Sequence, residues 1–320
     1  MTAATFLLPA VARFGAQRWL PEIAQALGRA DAATQAAGRR AQLARHLDLP
    51  AGRWPLAALS RQVDAGDAAT LESAWLRADP AWLRPDINGV RLMAHGDALG
   101  LTRADCDALL PVLRPVFGDA GFQLDAPVPS RWYLRLSRAS RLPDFPDPGD
   151  ALGTDLAGYE DDDSVEARRW RALGTEAQIL LHNHPWNAAR IAAGKPPVNA
   201  LWFWGGGPLP DARSASDGRY AAVRTDDATL QALASPVAQV GGLPDSWTPD
   251  DGDTLSDLSS LRDLRQLQAA WLQPAIAAVA RGELRTLTVD DEDGQVLHLR
   301  RRHRWRLWRR ARVVTPPAAP

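Results

Sequence analysis

The stretch LLHNHPWNAARIAAGKPPVNALWFWGGG, residues 180–207, restricts the fold more tightly than any other part of the chain. Pro185 ends the helical pattern that reaches it, because its ring lacks an N–H and clashes with the preceding turn. The same residue is well placed to open a second, short helix, PWNAARIAA, which Gly194 closes. VNALWFWG then reads as a buried strand leading into glycines. Trp202 and Trp204 alternate with Phe203, which puts both indoles on one face of that strand, the core face. A long helix, a short helix and a core strand in such quick succession predict a mixed α/β (α+β) fold.

At 320 residues, 46% of them hydrophobic, the chain is long enough for two closely packed lobes. Residues 1–70 read as the mostly helical N-terminal part of a core lobe, with TFLLPAV as a candidate strand. Residues 71–140 read as a hairpin, helix and strand lobe. There SAWLRADPAWL and GVRLMAH flank the Asn-Gly turn of RPDING, Thr102 caps a helix that proline interrupts, and FQLDAPVPSRWYLRL gives a strand, turn and strand. Residues 141–164, rich in Pro, Gly and Asp, read as a long exposed loop. Residues 165–252 hold the helix and strand segment with its histidines and tryptophans, followed by turns and one short helix. Residues 253–312 read as a helix kinked at Pro274 and closed by Gly282, a hairpin turning at Asp293-Gly294, and an Arg/Trp tail; 313–320 is a disordered end.

Several function classes fall away on composition. No run approaches the roughly 20 apolar residues of a membrane span, and the first residues show no basic leader region, so a cytoplasmic protein is expected. Cys106 is the only cysteine, which excludes an internal disulfide and a thiolate-rich metal cluster. Net charge is −1, yet residues 300–312, RRRHRWRLWRRAR, hold eight arginines and no acid, leaving −9 on the rest. Lys195 is the only lysine.

His182 and His184 are two apart, so on a helix they point about 200° apart and cannot share an ion. No metal site and no cofactor are expected. On the short helix, His184, Asn187 and Arg190 share a stripe, with Lys195 and Asn199 near in chain. These five are the ligand-binding candidates, since Arg and Lys supply charge and Asn directional donors for a phosphate or carboxylate. The competing reading has Asn187 and Asn199 bonding to loop backbone and Arg190 paired with an acid such as Glu176. GGGP, 205–208, is followed by neither a helix nor Gly-Lys-Ser/Thr, so it is a tight strand exit and not a phosphate loop. In the tail, Arg304, Trp305, Trp308 and Arg309 have the composition of a nucleic-acid contact. The alternative, and the expectation, is that both indoles dock on the protein body, more than half buried, with the arginines facing the acidic remainder.

HPWNAARIAAGKPPVNALWFWGGGPLP resembles the His-Pro-x-Asn-x-x-Arg and Asn-x-(Leu/Ile)-Trp-x-Trp-Gly-x-Gly segment of archaeal-type cofactor-independent phosphoglycerate mutases, of the alkaline phosphatase superfamily. WLRADPAWL, LTRADCDALLPVL and RWYLRL are similar in order and spacing to that family's inserted domain, and GRYAAVRTDDATLQALA to its following core strand and helix. With RWRLWRR near the end, residues 5–310 resemble the RpfE-type bacterial regulatory proteins, which are related to those mutases. The resemblance implies a degenerate phosphatase-like core lobe with an inserted lobe. The mutases hold two metal ions on Asp and His ligands, use a Ser nucleophile and end their first strand in Asp-Gly-x-x-Asp. Here PAVAR follows FLL, and no Asp-His dipeptide occurs. Without the two ions the phosphoryl chemistry has no activator. The expectation is a non-catalytic regulatory protein, with no catalytic residue, that takes a small phosphorylated or carboxylated metabolite or a protein as partner. Nucleic acid and membrane are not expected partners. The rival readings are an enzyme of altered phosphoester chemistry and a nucleic-acid-associated regulator acting through the tail.

Overall fold

The computed structural model describes residues 2–47, 54–86, 89–152, 163–210 and 218–312. The chain divides into two compact units, one of Met1–Ala51 with Ala212–Pro320 and one of Gly52–Asp211, so the second is an insertion in the sequence of the first.

The first unit begins with β1 (Thr2–Leu8), whose last five residues are all buried without alternation, the pattern of a strand covered on both faces. Then come α1 (Pro21–Arg29), with Pro21 at its first turn, β2 (Asp31–Thr34) and α2 (Arg39–Leu47). The inserted unit runs α3 (Leu56–Asp64), α4 (Ala68–Glu72), β3 (Ala74–Asp86), β4 (Gly89–His95), α5 (Arg103–Asp119), β5 (Gln123–Val128), β6 (Arg131–Leu136), α6 (Pro148–Ala151), α7 (Val165–His182), α8 (Pro185–Ala192) and β7 (Ala200–Pro208). The chain returns to the first unit with β8 (Ala222–Arg224), α9 (Ala228–Ala234), β9 (Gln239–Gly241), β10 (Thr254–Asp257), α10 (Leu264–Leu267), a π-helical turn over Gln268–Leu272, α11 (Gln273–Arg281), β11 (Leu284–Asp291) and β12 (Gln295–Leu299).

The sheet of the first unit has the order β2-β12-β11-β1-β10-β8-β9. From β11 to β9 every neighbour is parallel, while β12 and β2 add antiparallel pairs at one edge. Phe6, Trp271, Leu287 and Val289 anchor its apolar core. In the inserted unit the sheet is antiparallel: β3 pairs β7 over 74–81, β6 over 74–77 and β4 over 81–86. Its core collects Phe117, Trp132, Trp170, Leu181 and Phe203. The architecture is therefore mixed α/β, as the sequence predicts.

Several sequence expectations need correction. Residues 1–70 are not one helical part: β1 and β2 belong to the first sheet, and α3 and α4 to the inserted unit. The segments 71–140 and 165–210 are not separate lobes, because β7 pairs with β3 along its length and joins them. The helix α5 is not interrupted; Pro111 and Pro115 lie four apart on its exposed face, where the carbonyls they free meet water. The glycines of GGGP are not a strand exit. Strand β7 runs through them, and Gly205 has φ +66°, so close beneath α3 that a Cβ there would sit 3.0 Å from Leu56 Cβ.

The stretch 141–152 is not wholly exposed: Leu142 and Phe145 pack on the inserted core, and Pro146 O accepts a bond from Trp202 Nε1 at 3.1 Å. The rest of that loop, 153–162, and the end, 313–320, lie outside the described residues. Pro274 sits just after the π-helical turn, which absorbs the missing N–H, and Gly282 closes α11 in the left-handed region at φ +86°.

Candidate functional site

Ligands of open α/β sheets bind beyond the carboxyl ends of the parallel strands, so that edge of the first unit is the place to look. Register puts Asp290 of β11 and Asp257 of β10 on either side of Leu7 of β1, two carboxylates flanking the central strand. Helix α2 covers them. Arg39, Gln42, Arg45 and His46 recur at helical spacing on its inner side, Arg39 reaching Asp257 and the other three reaching Asp290.

Arg39 Nη2 donates to Asp257 Oδ2 at 2.6 Å, and the Thr225 hydroxyl donates to the same oxygen at 3.0 Å. Arg45 holds both oxygens of Asp290, and His46 Nε2 meets Oδ2 at 2.8 Å. Gln42 bridges the backbone of Leu8 and Asp290. On its other side His46 Nδ1 lies 2.7 Å from the Tyr220 hydroxyl, which reaches Thr5 Oγ1 at 3.3 Å. Burial would raise the Asp290 carboxyl, but the bonds from His46 and Arg45 outweigh it and hold it below the ordinary value. Burial raises the Tyr220 phenol, keeping it neutral.

Two metal ions on Asp and His ligands do not fit this edge. The oxygens they would need already accept from guanidinium groups, and a dication there would be repelled by Arg39 and Arg45 at contact range. Among the described residues no three of His, Cys, Asp and Glu converge as a metal site requires. The turn after β1 presents Pro9, Ala10 and Val11, whose amides at 10 and 11 donate to Glu292 and Asp293; none of the three side chains is a nucleophile.

The five ligand-binding candidates of the inserted unit come together only in part, and in structural roles. His184 caps α8, its Nδ1 accepting from Trp186 N at 3.2 Å. Buried Asn187 donates to Leu181 O and Val198 O and accepts from Val198 N, which stitches the end of α7 to the approach of β7. The Asn199 side-chain amide spans the Leu83 backbone, its Oδ1 accepting from Leu83 N and its Nδ2 donating to Leu83 O. Arg190, also buried, gives Nη1 to Asp105, Nη2 to Leu99 O and Nε to Pro196 O. Its acid is thus Asp105, which also accepts from Thr102 at the start of α5 and from Trp186 Nε1, and not Glu176. Burial favours the neutral Asp105 carboxyl, but bonds from Trp186, Thr102 and Arg190 prevail and lower it strongly. Lys195 alone is exposed. The cluster leaves no set of directed donors for a ligand.

Trp202 and Trp204 are buried, but it is Leu201 and Phe203, on the other face of β7, that join the apolar core; Trp204 is held by charge, its Nε1 donating to Asp79 Oδ2 at 2.8 Å and the Arg77 guanidinium lying 5.1 Å from its ring centroid.

The tail docks, but not through its tryptophans. Arg306 reaches Asp31 at 2.6 Å and Arg29 O, Arg312 N bonds Ala24 O, and the backbone at Arg310 passes so close over Gly28 that a Cβ there would collide with it. Anchored in this way, Trp305 and Trp308 point outward, 67% and 76% exposed, with Leu307 at 71%. The expectation that they are more than half buried is overturned. Arg304 stacks on Trp305 at 4.7 Å, and among the described residues Arg302, Arg304 and Arg309 have no carboxylate partner.

Sequence reasoning passed over Arg39, Gln42, Arg45, His46, Asp257 and Asp290. Their signal was present in the recurrence of polar groups at i, i+3, i+6 and i+7 on one short helix, and in carboxylates at the ends of two apolar strands.

The mostly parallel sheet with helices, carrying an antiparallel insertion, defines a mixed α/β protein. No protein-family model matches the chain. Over 159 residues, 50% of its length, it is 28% identical to a probable 2,3-bisphosphoglycerate-independent phosphoglycerate mutase of Geobacter sulfurreducens. The match covers 38% of that relative, so the chain spans well under two thirds of it. Among solved structures, a cofactor-independent phosphoglycerate mutase from Thermoplasma acidophilum aligns over 93% of this chain and 89% of its own, at 16% identity and TM-score 0.41. A Pyrococcus horikoshii protein aligns over 93% and 87%, at 12% identity and TM-score 0.42. The sequence match gives the chain a phosphoglycerate mutase-like ancestry at low identity.

Proposed function

We propose that this chain is a non-catalytic, cytoplasmic regulatory protein of the RpfE type, derived from a phosphoglycerate mutase-like ancestor. The observation that carries the reading is the neutralisation of Asp257 and Asp290 by Arg39, Arg45 and His46 at the sheet edge. Cations built into the chain stand against the carboxylates, and the turn after β1, Pro9, Ala10 and Val11, carries no nucleophilic side chain. The metabolite part of the reading draws no support from the Asn187 and Arg190 cluster, whose donors are spent on the protein itself. A coupled mutase assay with added manganese tests the proposal. The expected result is no turnover above background; turnover that vanished in the Asp290→Ala protein would overturn it.

One observation favours a second reading, in which the tail contacts single-stranded nucleic acid. Two indoles more than two-thirds exposed or nearly so, beside arginines without acidic partners, offer stacking and phosphate neutralisation together. Oligonucleotide binding that weakened steeply with salt and was lost in the Trp305→Ala, Trp308→Ala protein would support it. Binding indifferent to both substitutions would remove it.

A further inference from the structure

The first unit contains a cavity of about 270 Å³, lined by Arg224, Trp247, Asp250, Thr254, Ser256 and Trp271 among others. It exists because of what the sheet presents beneath the π-helical turn. Register sets Phe6, Ser256, Arg224 and Gly241 in one row across β1, β10, β8 and β9. Phe6 fills its share of the core, packing edge-on against Trp271 with centroids 5.6 Å apart. The next strand offers only the hydroxyls of Ser256 and, two residues earlier, Thr254, where a core strand would place Leu, Ile or Val. Gly241 adds no side chain at all, and a Cβ there would lie 2.7 Å from Arg224 Nη1. The space under Trp271 therefore stays open.

Its walls are built for a ligand and not for a single water. A water occupies roughly 30 Å³ of liquid, far less than this volume. Thr254, Ser256 and Trp271 are each at least nine-tenths buried, at 5%, 3% and 1% exposure. Among the described residues neither hydroxyl, nor the Trp271 indole N–H, is bonded to the protein, and none of the three atoms is shut off from the cavity. Three polar groups that open onto one cavity and are not spent on the protein can serve an occupant with a polar tip. Trp247, Trp271 and Pro244 supply apolar surface for a flat body. At the rim, Arg224 Nη2 and Asp250 Oδ2 stand 3.4 Å apart, one charge of each sign. A dianionic phosphate would meet Asp250 as well as Arg224, whereas an ammonium and a carboxylate on one carbon satisfy both. The volume lies just below the roughly 300 Å³ at which drug-sized sites begin, which limits the occupant to a small metabolite.

We propose that this cavity binds an aromatic α-amino acid, its zwitterionic head on Arg224 and Asp250 and its hydrogen-bonding tip on Ser256 and Thr254. The inference goes beyond the regulatory reading and is independent of whether the chain turns over a phosphoester.

Melting curves and titration calorimetry on the full chain test it, with tyrosine, phenylalanine, tyramine, 3-(4-hydroxyphenyl)propionate, 3-phosphoglycerate and inorganic phosphate as probes. Tyrosine at about tenfold over its Kd raises the melting temperature by on the order of 2–5 °C. Phenylalanine, lacking the tip, does less, and the probes lacking the amine or the carboxylate do nothing at the same concentration. Ser256→Leu fills the cavity and abolishes the response; should that protein fail to fold, Arg224→Gln at the rim reduces it at least tenfold in Kd. No response to either amino acid, a response to tyramine equal to that of tyrosine, or an unchanged response in Arg224→Gln overturns the proposal. None of these outcomes bears on the mutase assay, which reads the carboxylates Asp257 and Asp290 at the carboxyl ends of the strands.

Discussion

Arg45 holds Asp290 with two arms of its guanidinium, Nε at 3.0 Å to Oδ2 and Nη2 at 2.8 Å to Oδ1. The geometry is the fork of an arginine on a carboxylate, and it occurs at a sheet edge where the carboxylate has no exposure. A fixed cation of the chain thus takes the place in the charge balance that a bound ion or substrate would otherwise take.

Replacing Arg45 by Ala leaves Asp290 with His46 alone. Breaking a buried pair costs about 3–5 kcal/mol; with the Arg45 side chain 18% exposed, the expectation is the lower end of that range, about 3 kcal/mol. Because Asp290 is held below its ordinary value, its contribution is present above the unfolded pKa near 3.8 and is lost as pH falls through the lower folded one. Urea midpoints of parent and Arg45→Ala should therefore converge toward acid. A difference that persisted unchanged at pH 3 would show that packing, and not charge, is what Arg45 supplies.

In the inserted unit the contrast lies between Arg190 and Lys195. Arg190→Ala strands Asp105 and two carbonyls in a buried place and is expected to destabilise by about 3–5 kcal/mol. Lys195→Ala should change stability by no more than about 0.5 kcal/mol, as an exposed charge does. Equal effects of the two substitutions would contradict the structural assignment of Arg190.

Local order was legible where local chemistry decides it. Thr102 three residues before Asp105, Pro185 after the long helix, Asn-Gly and Asp-Gly between apolar alternations and Gly282 after the last helix all mark element ends through backbone rules. What depends on contacts far apart in sequence was not legible. Asp105 and Arg190 are 85 residues apart, and nothing near either residue says that they meet. The edge network joins residues 39–46 to 257 and 290 across the insertion. The tail reading failed for a related reason: charge and apolarity predicted docking, but Asp31 and the α1 carbonyls are the anchor, and an anchor of backbone and arginine leaves indoles unclaimed.

Arg306 is the side chain on which that anchor turns, and its removal should separate docking from exposure. Arg306→Ala is expected to increase proteolytic cleavage within 300–312 severalfold, while Trp305→Ala and Trp308→Ala leave both cleavage and global stability within about 0.5 kcal/mol of the parent. Protection lost with either tryptophan instead would mean that the indoles pack on something.

Asp291 behaves oppositely to its neighbour Asp290, and this sets a pH signature. Burial pushes its carboxyl up to about 6, against one backbone bond from Gln295 N at 2.9 Å that opposes the shift. With the folded pKa above the unfolded value near 3.8, the folded state binds the proton more tightly, so the stability it contributes is full below pH 4 and is lost as pH rises through 6. Above that range the charged carboxylate is a standing penalty of about 2–3 kcal/mol. Asn at this position keeps an acceptor for Gln295 and never ionises. Asp291→Asn should therefore be more stable than the parent at pH 7.5 by about 2 kcal/mol, and the gap should close by pH 4. Urea unfolding at several pH values between these limits measures it. A gap of constant size across the range would mean that Asp291 titrates alike in the folded and unfolded chain.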